Sequence, residues 1–240
     1  MPAIEDLLLE KKRYGLELKV SSLELEKLNQ GYPIQYIMGY VEYANVRINL
    51  NHKVLIPRYE TEEIVYILLN EYLKPGMKVL DLCAGSGFIG IALKKNLDSI
   101  NVTLSDIDNE AIMQANENVV LNFKSTTGIQ IVQSDCFNDI KGKFDLIVSN
   151  PPYLDYDDKD VDESVKKFEP EIALFAKDSG WYFYEKILNE AKHYLNEGGI
   201  LAFEINPKHI DRWKQIDGAK IVKDMSLKDR FAFISYEDLR

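Results

Sequence analysis

Apolar residues fall into two rhythms along this chain, and the change comes near Pro75-Gly76. Upstream, Leu7-Leu8-Leu9 marks one amphipathic helix, and Leu23, Leu25 and Leu28 mark a second that Ser21-Ser22 can cap. Gly31-Tyr32-Pro33 ends that unit. The apolar positions of 41–56 alternate in part, with Asn45 near a turn, and predict a hairpin that Pro57 closes. From Glu60 to Leu73, Ile64, Ile67 and Leu68 stand at helical spacing.

Downstream, short apolar runs alternate with helical periods. The pattern predicts strands at 78–82, 101–105, 129–132, 144–148 and 199–205, and helices at 88–95, 109–121 and 180–195. Two antiparallel strands are expected within 219–236. Such alternation implies an α/β fold, with a mostly parallel sheet covered by helices on both faces. The segment 155–167 is charged and aperiodic, so it is expected to be a mobile loop.

Composition narrows the class without naming a function. With 240 residues, 46% of them hydrophobic, the chain can bury one large core plus a small accessory piece. No apolar run approaches the ~20 residues of a membrane span. The charged first 13 residues do not resemble a signal peptide. Two cysteines without metal-ligand spacing point to a reducing cytoplasm and no structural metal. His52, His193 and His209 are scattered and read as surface or internally satisfied groups. A net charge of −10 leans against stable nucleic-acid binding, and Lys11-Lys12-Arg13 and Lys166-Lys167 read as solvated helix faces. No membrane partner is expected.

Two motifs carry chemistry. The apolar run 144–149 ends in Asn150-Pro151-Pro152-Tyr153. Neither proline has an amide hydrogen, so the ladder must stop there. A carboxamide, unladdered carbonyls and an aromatic face remain, a set that suits a planar amide or amine nitrogen. The second motif is the glycine loop from Asp81 through Cys83, Ala84, Gly85, Ser86 and Gly87 to Gly90. Glycine lets backbone pass close beneath a ligand, and the helix start offers amide hydrogens.

Gly85 to Gly90 satisfies GxGxxG, so a nicotinamide cofactor must be considered. Asp106 ends the next strand, where a carboxylate can accept both ribose hydroxyls, in dinucleotide and S-adenosylmethionine enzymes alike. Three features favour the latter. Asp81 is placed for a methionine ammonium, and Asp135 for an adenine amino group. A hydride-transfer enzyme has no use for Asn-Pro-Pro-Tyr. Asp81, Asp106, Asp135 and Asn150 in register indicate a methyltransferase.

At this point the chain resembles the bacterial peptide chain release factor glutamine N5-methyltransferase family. The resemblance rests on 33–39 (Pro-Ile-Gln-Tyr-Ile-Met-Gly), 55–62 (Leu-Ile-Pro-Arg-Tyr-Glu-Thr-Glu, against Ile-Pro-Arg-Pro-Glu-Thr-Glu), and 168–174 (Phe-Glu-Pro-Glu-Ile-Ala-Leu). It implies a Rossmann-like S-adenosylmethionine-dependent methyltransferase fold with a mostly parallel seven-stranded sheet. A substrate-recognition helical segment is expected at 1–31, a linker and hairpin at 32–57, and the catalytic domain at 58–240. The implied reaction methylates the glutamine of the GGQ motif in class I release factors, leaving S-adenosylhomocysteine.

On that resemblance, Asn150 and the Pro151 carbonyl accept the two amide hydrogens and Tyr153 packs on the amide plane. Pro152 and Glu169 complete the substrate side. The 83–87 loop, Asp81, Asp106, Ile107, Asp135, Cys136 and Asn150 hold the cofactor, and Arg58, Glu60, Thr61 and Glu62 shape the entrance. Four departures stand out: about 30 residues precede the linker motif, Tyr59 replaces a proline, Cys83-Ala84 replaces Gly-Thr, and Cys136 takes a position that often carries an aromatic. The alternative is a nucleic-acid amino-methyltransferase acting on adenine N6 or guanine N2, which shares Asn-Pro-Pro-Tyr but needs a basic groove. A binding-only protein on the same scaffold is a further alternative.

Overall fold

A computed structural model describes residues 2–240. Its central feature is a sheet built from the apolar runs of the second half. In chain order the strands are β3 (Lys78–Leu82), β4 (Asn101–Asp106), β5 (Ile129–Gln133), β6 (Phe144–Ser149), β7 (Leu195–Glu204), β8 (Lys220–Lys223) and β9 (Asp229–Ser235). They lie in the order β5-β4-β3-β6-β7-β9-β8. The first five are parallel, and β9 runs antiparallel between β7 and β8. This is the expected α/β sheet, including its antiparallel end. β7 begins earlier than the sequence suggests, because Leu195 pairs with Phe144 across a register shift.

Both sheet faces are buried, which explains the near-continuous apolar strands. One face packs against α4 (Tyr59–Ile67), α5 (Phe88–Asn96) and α6 (Asn109–Asn122). The other packs against α9 (Tyr182–Tyr194) and α10 (Ile210–Trp213), around Tyr184, Phe203 and Trp213. Gly90 lets α5 lie directly on β4: a Cβ there would stand 2.3 Å from a Leu104 methyl. That close approach holds the start of α5 at the sheet edge. No helix among the described residues is long and apolar enough to cross a membrane.

The N-terminal part adds α1 (Ile4–Arg13), α2 (Ser22–Gln30) and α3 (Ile34–Met38) around Leu7, Leu28 and Ile37. Ser21 caps α2 reciprocally with Glu24. α3 occupies the linker motif, for which the sequence pattern predicts no helix. Lys11 departs from its expected solvated position: it is buried, and its ammonium pairs with Glu24 at 2.8 Å. Arg13 hydrogen-bonds the Tyr59 hydroxyl and lies over that ring, tying α1 to the first turn of α4.

Three element predictions need correction. The hairpin comprises only β1 (Tyr40–Tyr43) and β2 (Val46–Asn49), with Ala44 and Asn45 at φ 45° and 64° in a tight turn. Residues 50–58 have no strand partner; Val54 and Ile56 are buried by side-chain packing instead. The helix predicted through Leu73 changes at Leu68 into a π turn, Leu68–Tyr72. The segment 155–167 is not all loop: α7 (Glu163–Phe168) starts there, capped by Asp162. Its Lys167 ammonium donates to the Gln30 carbonyl, so this lysine too has a structural partner. A short α8 (Glu171–Leu174) follows.

Candidate active site

The chain turns from one half of the sheet to the other between β3 and β6, which makes this edge a topological switch point where α/β folds bind ligands. β3 runs into the glycine loop, and β6 runs into Asn150-Pro151-Pro152-Tyr153. The Ser149 hydroxyl donates to the Leu82 carbonyl at 2.6 Å and locks the two strand ends together.

Two clefts open here. The first is lined by the 83–86 loop, Asp106, Ile107, Ser134, Asp135, Cys136, Asn150, Pro152 and Phe183, among others. The second is lined by Arg58, Asn150, Pro151, Tyr153, Asn206, Lys208 and Arg230 with neighbouring residues. Asn150, Leu55 and Ala173 belong to both. The Asn150 carboxamide oxygen is buried without a hydrogen-bond partner, an acceptor waiting for a donor at the boundary between the clefts.

The glycine loop is held from three sides. The Ala84 amide donates to the Ser105 carbonyl, and the Gly85 amide to Asp106 Oδ2 at 2.8 Å. The Asn118 carboxamide donates to the Ser86 carbonyl at 2.9 Å. Asn118 also accepts from the Asn49 amide, so β2 braces the loop through α6. Gly87, at φ 81°, sits tightly against Ile91, Leu104 and Ala115 in a conformation that a side chain would strain.

Asp106 accepts the amides of Gly85 and Asp108, one on each oxygen, and each oxygen keeps lone-pair capacity toward the cleft. Burial raises its pKa, opposed by those backbone donors. Asp135 lines the same cleft and pairs with Lys186 at 2.8 Å. Asp81 lies beneath the loop and does not line the cleft. Its Oδ2 accepts the Gly90 amide at 2.8 Å, its Oδ1 has no partner, and burial pushes its pKa up to about 7.

On the second cleft, the Tyr153 ring lies parallel to Tyr184 with centroids 6.4 Å apart. Gly180 allows this loop to close: a Cβ there would sit 2.2 Å from the Tyr153 carbonyl oxygen. Glu169 does not face either cleft. It is buried, accepts the Ile56 amide at 3.0 Å, and pairs with Arg58 at 2.6 Å. Of the four entrance residues, Thr61 lines the first cleft and Arg58 the second, while Glu60 and Glu62 line neither. Glu62 accepts the Ala44 amide in the hairpin turn. None of the three histidines lines either cleft.

Sequence reading missed Glu204 and Asn118. Glu204 is buried at the end of β7, where it accepts hydrogen bonds from Tyr153 and Thr61. A lone acid inside Leu201-Ala202-Phe203-Glu204-Ile205 was a legible signal. Asn118 had none, because Asn49 and Ser86, which it ties together, are distant from it in sequence.

The first cleft suits a nucleoside joined to an amino acid. Asp106 offers acceptors for hydroxyls, Asp135 offers a further carboxylate, and Ile107, Pro152 and Phe183 supply apolar surface. The unpartnered Asp81 oxygen leaves one free hydrogen-bonding atom under the loop.

Comparison with known proteins agrees with this geometry. Residues 63–168 match the methyltransferase small domain family. A release factor glutamine methyltransferase of Lactococcus lactis is 39% identical over 84% of this chain and 74% of its own length. A protein of the same name from Streptococcus pneumoniae is 41% identical over 73% of this chain and 62% of its own length. Among solved structures, a methyltransferase from Pyrococcus furiosus superimposes with a TM-score of 0.57 at 21% identity. It covers 79% of this chain and 88% of that one, and shows the shared fold. The sheet is therefore that of the S-adenosylmethionine-dependent methyltransferases, and the chain belongs to the release factor glutamine methyltransferase family.

Proposed function

We propose that this chain transfers a methyl group from S-adenosylmethionine to the side-chain amide nitrogen of the GGQ glutamine in class I peptide chain release factors. The observation that carries this reading is the unpartnered Asn150 carboxamide oxygen, set between the two clefts. The cofactor supplies an electrophilic methyl on sulfonium. The loop from Cys83 to Gly87, Asp106, Ile107, Asp135 and Cys136 hold it in the first cleft, and the glutamine enters the second.

An amide nitrogen is a weak nucleophile because its lone pair is delocalised. Asn150 Oδ1 and the Pro151 carbonyl each accept one N–H of the glutamine amide. They orient the nitrogen toward the first cleft and favour a pyramidal geometry. Their attraction grows as positive charge develops on nitrogen, so it acts on the transition state. Tyr153 covers the amide plane, and Pro152 lines the cofactor side. Alignment of the two partners supplies several kcal/mol more, on the order known for oriented reactants. The released proton goes to water.

Residues 2–31 contribute a partner-binding surface outside the reaction site. The two free cysteines fit a cytoplasmic enzyme. The experiment is transfer of labelled methyl to a purified release factor, with its Gln→Ala variant as control and an RNA and DNA pool in parallel. Label on the wild-type factor alone supports the reading. Label on nucleic acid overturns it in favour of a base amino group, which the net charge of −10 disfavours.

A further inference from the structure

Cys83 and Cys136 are the only cysteines of the chain, and both stand on the wall of the first cleft. Cys83 follows β3 and Cys136 follows β5, strands separated by β4. Both backbones adopt left-handed conformations, at φ 60° and 51°, which L residues with a Cβ seldom take. Cys83 packs on the cluster that contains Cys136, and the two thiols lie close enough to shift one another's ionisation. Neither is in a disulfide. The methyl-transfer chemistry uses neither sulfur.

We propose that Cys83 and Cys136 form a redox modification site, at which a peroxide converts the facing thiols to an intramolecular disulfide that closes the cleft to the cofactor. This gating rests on the assignment of the first cleft to S-adenosylmethionine. Cys136 is the first nucleophile. The neighbouring Cys83 thiol and the Lys186 ammonium both favour its thiolate, against the effect of burial. The neighbouring Cys136 sulfur and burial keep the Cys83 thiol protonated.

The Cys136 thiolate attacks a peroxide oxygen. A sulfur–oxygen bond forms, the oxygen–oxygen bond breaks, and with a proton the leaving oxygen departs as water. The Cys83 sulfur then attacks the sulfenic acid at Cys136. A sulfur–sulfur bond forms, the sulfur–oxygen bond breaks, and the Cys83 proton leaves with the departing hydroxide as a second water. Two thiols are oxidised and one peroxide is reduced to two waters.

The covalent bond, about 2.05 Å long, is much shorter than any non-bonded approach of two sulfurs. It draws the 83–87 loop toward the loop after β5, across the floor that Ala84, Ser134 and Asp135 also line. Coupling of this kind is reciprocal. If the disulfide excludes the cofactor, a bound cofactor product retards disulfide formation.

The test begins with the reduced full chain and its affinity for S-adenosylhomocysteine by calorimetry. Hydrogen peroxide is then added, intact mass and thiol-blocked peptides are read, and affinity is measured again. The expected result is a mass lower by two hydrogens, a peptide pair joining Cys83 to Cys136, and affinity weaker by about tenfold or more. Dithiothreitol restores it, and saturation with S-adenosylhomocysteine slows the cross-link. The affinity of Cys83→Ser, whatever its starting value, does not respond to peroxide.

A disulfide that leaves affinity unchanged overturns the gate. Oxidation of one cysteine to sulfinic or sulfonic acid without the cross-link overturns the site itself. Failure of the reduced chain to bind overturns the cofactor assignment, and the gate with it.

Discussion

The Tyr153 hydroxyl donates to Glu204 Oε1 at 3.2 Å, while the Thr61 hydroxyl donates to Oε2 at 2.7 Å. One buried carboxylate thereby joins the Asn-Pro-Pro-Tyr turn, the end of β7 and the first turns of α4. Burial raises the Glu204 pKa, and the Thr61 hydrogen bond and the charge of Arg230 oppose that rise. Glu204 thus positions Tyr153 through a bond to its far end, without facing the first cleft. Glu204→Ala is expected to lower kcat by about tenfold, since a displaced aromatic cover misaligns the amide. Glu204→Gln, which keeps hydrogen-bonding capacity, is expected to recover most of that loss. Steady-state kinetics with a release factor decide the matter; equal kcat in both variants would leave Glu204 a purely structural group.

Asn150 supplies the clearest separation of binding from chemistry. Its side-chain oxygen has no protein partner, so truncation frees no buried donor. Asn150→Ala is expected to lose at least about 100-fold in turnover, the scale for a group that stabilises developing charge. Affinity for S-adenosylhomocysteine should change little. Calorimetry beside single-turnover transfer checks both, and a parallel collapse of cofactor affinity would remove Asn150 from its assigned role.

Glu169 holds the extended segment before α4 by two bonds, to the Ile56 amide and to Arg58. Pro57, between those partners, lines the first cleft. Removing the carboxylate leaves a buried amide without an acceptor and a guanidinium without its ion pair. Glu169→Ala is therefore expected to cost about 3 kcal/mol of stability. A denaturant melt measures it. A double-mutant cycle with Arg58→Ala should give a coupling energy well above the value for an exposed pair; additivity within error would show that the two act separately.

Asp81 makes stability depend on pH in a predictable direction. Its ordinary carboxyl pKa of 3.8 is raised by burial to about 7. The folded state thus holds the proton more tightly than the unfolded state. The associated stability is complete below pH 3.8 and is lost as pH rises through about 7. Asp81→Asn removes that dependence while keeping an acceptor for the Gly90 amide. Relative to wild type, the variant is expected to gain stability between pH 5 and pH 8, by at most about 3 kcal/mol. Urea melts of both proteins without cofactor, at the two pH values, test it. A difference that does not vary with pH would mean that Asp81 is ionised throughout.

The order of strands and helices was legible because burial on both sheet faces writes uninterrupted apolar runs into β3, β6 and β7. The stop after β6 was legible too, since Pro151 and Pro152 remove ladder donors whatever surrounds them. Glycines 85, 87 and 90 announced a close-packed strand-to-helix turn for the same local reason. These are properties of single residues and short spacings, and they carried the family resemblance with them.

Other decisions belong to contacts across long separations. Residues 50–56 read as the last part of a hairpin because Leu50, Val54, Leu55 and Ile56 are apolar, yet no neighbouring edge accepts them, and Glu169 holds Ile56 instead. Glu169 itself lay inside a motif that pointed to substrate, but 113 positions away the Ile56 amide needed an acceptor. The meeting of Cys83 and Cys136 across β4 left no trace in spacing. Local propensity and periodicity determine which elements form, whereas pairing of buried polar groups depends on which distant donor the packed sheet brings within reach.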